Sequence, residues 1–215
     1  MSDLVLTEEQ QLLQSTAADF ARQSLPVSRL RALREGGDGF SRDLWREMGN
    51  LGWPGMLLPE EYGGLGLGYA DAVVVLEEMG KVLAPEPFLS TILLAGNTLL
   101  LGGTAAQKQQ LLPRVASGEA VLALAHHEPR ARHRVHHVTT RATAQGDGSF
   151  VLSGVKDLVL DGAAAERMVV SARTSGGTDD RDGISLFLVD PHAPGVTVAR
   201  QQLVDHRAAA LVTLD

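Results

Sequence analysis

At 215 residues, with 44% apolar and 21% charged side chains, the chain is long enough for one large domain or two small ones around a sizeable core. Its net charge of -7 argues against general nucleic-acid binding, which needs a broad basic face to displace counterions from phosphates. The absence of cysteine excludes disulfides, iron–sulfur clusters and thiolate zinc sites.

The opening "MSDLVLTEEQ" has no basic segment followed by an apolar run, so no secretory signal is read and a cytoplasmic protein is expected. Thr7 and Gln10 make a capping box for a first helix, with Leu13, Ala17, Phe20, Ala21 and Ser24 on one face before Pro26 interrupts. Ser41 caps a second helix with Leu44, Trp45, Met48 and Leu51 at helical spacing. Asp71 is expected to cap a third, turning Val75, Leu76 and Met79 inward and Glu77, Glu78 and Lys81 outward. "GGLGLG" at 63–68 follows no strand and precedes no Lys-Ser/Thr pair, so it reads as a tight turn between helices rather than a phosphate loop. Residues 88–101 are apolar on nearly every side, too short to span a bilayer, and are expected in the middle of a helical bundle. Thr104 with Gln107 opens a last helix that buries Leu111, Leu112 and Val115.

After Gly118 the rhythm changes to short β-branched runs: "AVLALA", "HVTTRATA", "SFVLSGVKDLVL", "RMVVSAR", "ISLFLVD", "VTVARQQ" and finally "AAALVTLD". "GDGS" has turn composition and "TSGGTDDRDG" reads as an exposed loop. Strands so closely spaced, with no helix between them, imply an antiparallel sandwich or barrel. The expected fold is α+β: an all-α bundle over residues 1–118, then an antiparallel β-domain over 119–215. The last strand reaches Asp215 with no closing turn, so a further C-terminal part is expected beyond it.

Residues 44–81, "LWREMGNLGWPGMLLPEEYGGLGLGYADAVVVLEEMGK", resemble the N-terminal helical domain of acyl-CoA dehydrogenases, above all in "PEEYGGLGL" and the paired-Glu helix. "GSFVLSGVKDLVLDGAAAERMVVSAR" resembles the middle β-domain of that family. The resemblance implies α,β-dehydrogenation of an acyl-CoA thioester, from fatty-acid or steroid side-chain metabolism, by FAD and a carboxylate base. It places that base in a C-terminal helical domain, so no base is assigned here. It further implies a homo-oligomer, or a heteromer with a second acyl-CoA dehydrogenase subunit, and neither a nucleic-acid nor a membrane partner.

The resemblance also assigns a site. Leu124, His126 and His127 fall in the first flavin-contacting segment, with His127 replacing a threonine. Leu158 and Leu160 replace the tryptophan and threonine of the second. Arg130, Arg132, His133 and Arg134 fall where the family approaches CoA or flavin phosphates, Arg132 replacing a glycine and His133 a serine. Losing two or three hydrogen-bonding or stacking contacts removes about 1.5–4.5 kcal/mol, or roughly tenfold to a thousandfold in affinity. The implied subunit therefore has a weakened or shared flavin site. The alternative is a non-catalytic module that binds acyl-CoA or a partner protein on the same scaffold.

Residues 124–137, "LAHHEPRARHRVHH", hold five of the seven histidines. His133 and His137 stand four apart, a spacing that converges on a metal only within a helix; this segment follows a strand and contains Pro129, so no metal is expected. It has no aromatic ring for stacking on bases. Two readings remain, arginine forks for phosphate oxygens or a solvated basic loop. Adjacent Glu77 and Glu78 diverge by about 100° on a helix and make no acid–base pair. Lys156 is assigned a structural role.

Overall fold

The computed structural model describes residues 5–33, 37–205 and 207–215, so residues 1–4 of the opening stretch lie outside the description. The chain divides into two compact units, Met1–Phe88 with Gln109–Glu119, and Leu89–Lys108 with Ala120–Asp215.

The first unit is helical. Helix α1 (Glu8–Ser24) starts at the expected box: the Gln10 amide N–H donates to the Thr7 hydroxyl, and the Thr7 N–H to Gln10 Oε1, both at 3.2 Å. Its buried face carries Ala17 and Ala21, small enough for a close neighbour. Pro26 ends α1, but a short helix α2 (Val27–Leu33) follows it, since proline is tolerated just ahead of a first turn. Helix α3 (Arg42–Asn50) is capped by Ser41 and buries Trp45 and Met48. Leu51 lies past the end of α3 and is 41% exposed, so it leaves the expected apolar face. Two edge-to-face pairs, Phe20 with Trp53 and Trp45 with Phe88, build the aromatic centre of this unit.

Helix α4 (Tyr69–Lys81) corrects two expectations. Gly68, not Asp71, is its N-cap residue; Asp71 stands three positions on and accepts the Gly68 N–H at 2.9 Å. Its other oxygen accepts from Gln10 Nε2 at 2.9 Å, which joins α4 to α1. Glu78 is buried rather than solvated, because Lys81 Nζ reaches it at 2.7 Å. The turn at 63–68 folds back on 55–58: Leu65, Gly66 and Leu67 donate their N–H groups to Gly55, Leu58 and Met56. Gly64 passes so close that a Cβ would lie 2.0 Å from the Leu58 carbonyl oxygen.

In the second unit, the apolar run forms a π-helical stretch (Phe88–Gly96) and helix α5 (Asn97–Gly102). From Leu89 it groups with the sheet rather than lying in the helical bundle, and two buried side chains explain why. The Thr91 hydroxyl donates to the Leu122 carbonyl at 3.1 Å and accepts the Leu122 N–H at 3.2 Å. Ser90 Oγ donates to Asp161 Oδ2 at 2.6 Å. Polar groups without water must find such partners. Leu101, at the end of the run, is 85% exposed. Helix α6 (Ala105–Ala116) opens on the expected Thr104–Gln107 box and, over its part that belongs to the first unit, buries Leu111, Leu112 and Val115.

Seven strands fall on the seven runs: β1 (Leu122–Ala125), β2 (Arg141–Ala144), β3 (Phe150–Leu160), β4 (Arg167–Arg173), β5 (Ile184–Val189), β6 (Val196–Gln202) and β7 (Ala208–Leu214). They form one curled sheet in the order β1-β4-β2-β3-β7-β6, with β5 also on β4. The β2–β3, β3–β7, β6–β7 and β4–β5 pairs are antiparallel, as expected. The sheet is nevertheless mixed, because β1 runs parallel to β4 and β2 touches β4 in parallel at Arg173. The long excursion between β1 and β2, residues 126–140, reverses the direction the short spacing suggested. Ala123, Ala125, Val159, Met168, Val170 and Val212 meet in the core of the sheet.

Candidate functional site

Alternation along β1 turns Ala123 and Ala125 into the core and leaves Leu124 half-buried on the other face. His126 and His127, just past the strand end, are half-buried, and the Nδ1 atom of each is buried with no hydrogen-bond partner among the described residues. Burial holds the His126 ring below the usual imidazole range, and the nearby His127 and Lys156 add to this.

The chain then turns at Glu128, whose buried carboxylate organises four segments. Lys156 Nζ on β3 donates to Oε1 at 2.7 Å, and the Thr140 N–H donates to the same oxygen at 3.0 Å. The Thr139 N–H donates to Oε2 at 2.7 Å and the Thr139 hydroxyl donates there too. Lys156 also donates to Ser171 Oγ on β4 at 3.1 Å. Burial pushes the Glu128 carboxyl up, but the bonds from Lys156, Thr139 and Thr140 outweigh it and hold the group down at about 2. The Asp157 N–H donates to the His127 carbonyl at 2.9 Å, a second tie between the two segments. Lys156 thus has a structural role, at the frame of the site.

On β3 the register slips between Lys156 and Val159. Leu158 sits at this bulge with φ 51° and is 44% exposed; Val159 points into the core, and Leu160 is half-buried. The structure brings His127 beside His133, with ring centroids 5.9 Å apart. Arg132 and His133 both take positive φ, 46° and 66°.

The three arginines do not converge. Arg134 NH1 donates to Asp179 Oδ1 at 2.9 Å, and His137 Nδ1 lies 2.7 Å from the same oxygen. Arg130 lines a separate cavity, and Arg132 is exposed. Sequence reasoning missed both Asp179 and Arg173. Asp179 sits 42 positions from His137, with no local signal. Arg173 did carry one, a charge closing an apolar strand. Its buried guanidinium donates to the carbonyls of His136, Val138, Ser175, Thr178, Asp180 and Asp182, pinning both the basic loop and the 174–183 loop.

Comparison with known proteins identifies the family. The description "Acyl-CoA dehydrogenase, N-terminal domain" matches residues 7–119, and "Acyl-CoA dehydrogenase, middle domain" matches residues 123–211. The chain belongs to the acyl-CoA dehydrogenase family. It is 32% identical over 199 residues to the mitochondrial isovaleryl-CoA dehydrogenase of Pongo abelii, covering 91% of this chain and 47% of that protein. Among solved structures, a variant of the Tcur3481-Tcur3483 steroid ACAD superposes with a TM-score of 0.84 at 36% identity, over 97% of this chain and 55% of that one. The ChsE4-ChsE5 complex from Mycobacterium tuberculosis gives 0.84 at 26% identity, over 99% and 55%. The chain spans about half the length of the curated relatives it matches.

Members of this family are FAD-dependent flavoproteins. Beside the Glu128 frame, the two orphaned imidazole nitrogens of His126 and His127 call for a polar partner. The positions that the resemblance assigns to flavin contact do not fit a flavin gripped by this chain alone. Leu158 and Leu160 carry neither an aromatic face nor a hydroxyl, and His133 adds a ring beside His127. No chemical step is therefore routed through a flavin on these residues.

Proposed function

We propose that this chain contributes to an oxidoreductase that removes two hydrogens from the α and β carbons of an acyl-CoA thioester, as a subunit whose flavin site is weakened or shared with a second acyl-CoA dehydrogenase chain. One observation carries the reading: the Glu128–Lys156 frame is intact while the positions it presents are His127, Leu158 and Leu160. The two-component names of the Tcur3481-Tcur3483 and ChsE4-ChsE5 structures support a heteromer. In this reading a partner chain supplies the missing flavin contacts, and Arg132 with His133 faces a phosphate of FAD or CoA. No helix among the described residues is long and apolar enough to cross a membrane, and we place the complex in the cytoplasm.

The test is flavin stoichiometry, read from visible absorbance of the chain purified alone and then copurified with candidate partner subunits. Sub-stoichiometric flavin alone and stoichiometric flavin in the complex are expected, with acyl-CoA-dependent reduction of an electron acceptor only in the latter. Tightly bound, stoichiometric flavin in the lone chain overturns the shared-site reading.

A further inference from the structure

Residues 128–130, 137, 139 and 154–155 line a half-open pocket of about 280 Å³ to which the flavin-segment residues do not contribute. Its apolar wall is Pro129, Val155 and the backbone at Gly154. Its polar groups are Arg130, His137, Thr139 and Glu128. Arg130 has no ion pair or hydrogen bond among the described residues, although every other charged side chain on this wall is engaged. His137 is held through Nδ1 on Asp179, which leaves Nε2 as the ring's other polar atom. Four donors cover the Glu128 carboxylate and Lys156 offsets its charge, so the wall is not bare anion.

We infer that this cavity is a binding site for a small organic monocarboxylate with an aromatic or branched body, anchored by Arg130. The volume lies just below the roughly 300–1,000 Å³ range of drug-sized ligand pockets, which limits the site to a small ligand. A guanidinium fork matches both oxygens of a carboxylate, and the Pro129–Val155 wall takes the apolar remainder. A phosphate dianion fits less well. It would bring a second negative charge beside Glu128 with only one unengaged cation to meet it. Nothing here depends on flavin or CoA, so the site stands or falls apart from the dehydrogenase reading.

Titration calorimetry of the whole chain with benzoate, and separately with inorganic phosphate, tests the site. Saturable one-site binding of benzoate is expected, with phosphate at least about tenfold weaker. Arg130→Ala should weaken benzoate by roughly tenfold to a hundredfold, the range for a lost charged hydrogen-bond pair, and Arg130→Lys should recover part of it. Val155→Phe fills the cavity and should abolish binding with Arg130 in place; thermal melts verify that each variant folds. Arg130 lies on the surface, so its variants test the proposal even if Val155→Phe does not fold. Absence of saturable benzoate binding overturns the assignment. So does benzoate binding that survives Arg130→Ala unchanged, or phosphate that binds as tightly as benzoate.

Discussion

Arg132 holds a φ of 46°, a conformation that costs a side chain roughly 1–2 kcal/mol and a glycine nothing. Replacing it by glycine removes that strain but frees the unfolded chain by about 0.4–1 kcal/mol. Arg132→Gly should therefore stabilise the protein by roughly 0.5–1 kcal/mol in chemical denaturation. The opposite behaviour is expected at Lys156. Lys156→Met leaves the Glu128 carboxylate buried without its counter-charge and should cost about 3–5 kcal/mol; adding Glu128→Leu should restore only part of it, because the Thr139 and Thr140 N–H groups then lose their acceptor. Glu128 also sets an acid limit. Its folded pKa of about 2 lies below the ordinary 4.5, so its contribution is complete above about pH 4.5 and disappears as pH falls toward 2. That window amounts to ~3 kcal/mol, and Glu128→Gln should flatten it in urea titrations run from pH 5 to pH 2. Lys156 was singled out in the sequence; its meeting with Glu128 was not legible there, because 28 residues separate them.

Among the elements, the helix starts that rest on short-range chemistry were legible: Thr7 with Gln10, Ser41, and Thr104 with Gln107 all act as the local pattern requires. Asp71 was misplaced because a carboxylate serves a helix start equally well from three positions inside it. All seven strands announced themselves by β-branched runs, yet the parallel β1–β4 pairing depends on a long excursion whose path no local period encodes. The turn at 63–68 read correctly as a turn, and its glycine requirement is specific. Gly64→Ala would drive a methyl into the Leu58 carbonyl, and we expect at least about 2 kcal/mol of destabilisation by thermal melting. Gly66→Ala meets no neighbouring atom and should lose only the smaller cost of its positive φ, about 1–2 kcal/mol.

For the whole molecule, the change of rhythm near residue 118 suggested a cut between helices and sheet. The two family matches, over residues 7–119 and 123–211, change over in the same region, while the compact units group Leu89–Lys108 with the strands, held there by Thr91 on Leu122 and Ser90 on Asp161. Periodicity could not show this, since an apolar run looks alike whichever surface covers it. A fragment of residues 119–215 should accordingly show no cooperative thermal transition by circular dichroism, because it lacks the segment that covers one side of its sheet. A fragment of residues 89–215 retains every residue of that unit and should melt cooperatively.

The guanidinium of Arg173 gives the 174–183 loop an unusual freedom. That excursion is moored largely by its peptide oxygens to one side chain; among its own side chains, Asp179 holds Arg134 and His137, and Asp180 accepts the Gly177 N–H. Substitutions along its outer rim, Asp179, Asp180 and the positive-φ glycines Gly176 and Gly183 apart, should pass almost unnoticed, whereas losing the single arginine at its root would let the whole excursion drift. The outer rim is therefore a natural place to graft a reporter or an affinity peptide, and residue 173 is the one to leave alone.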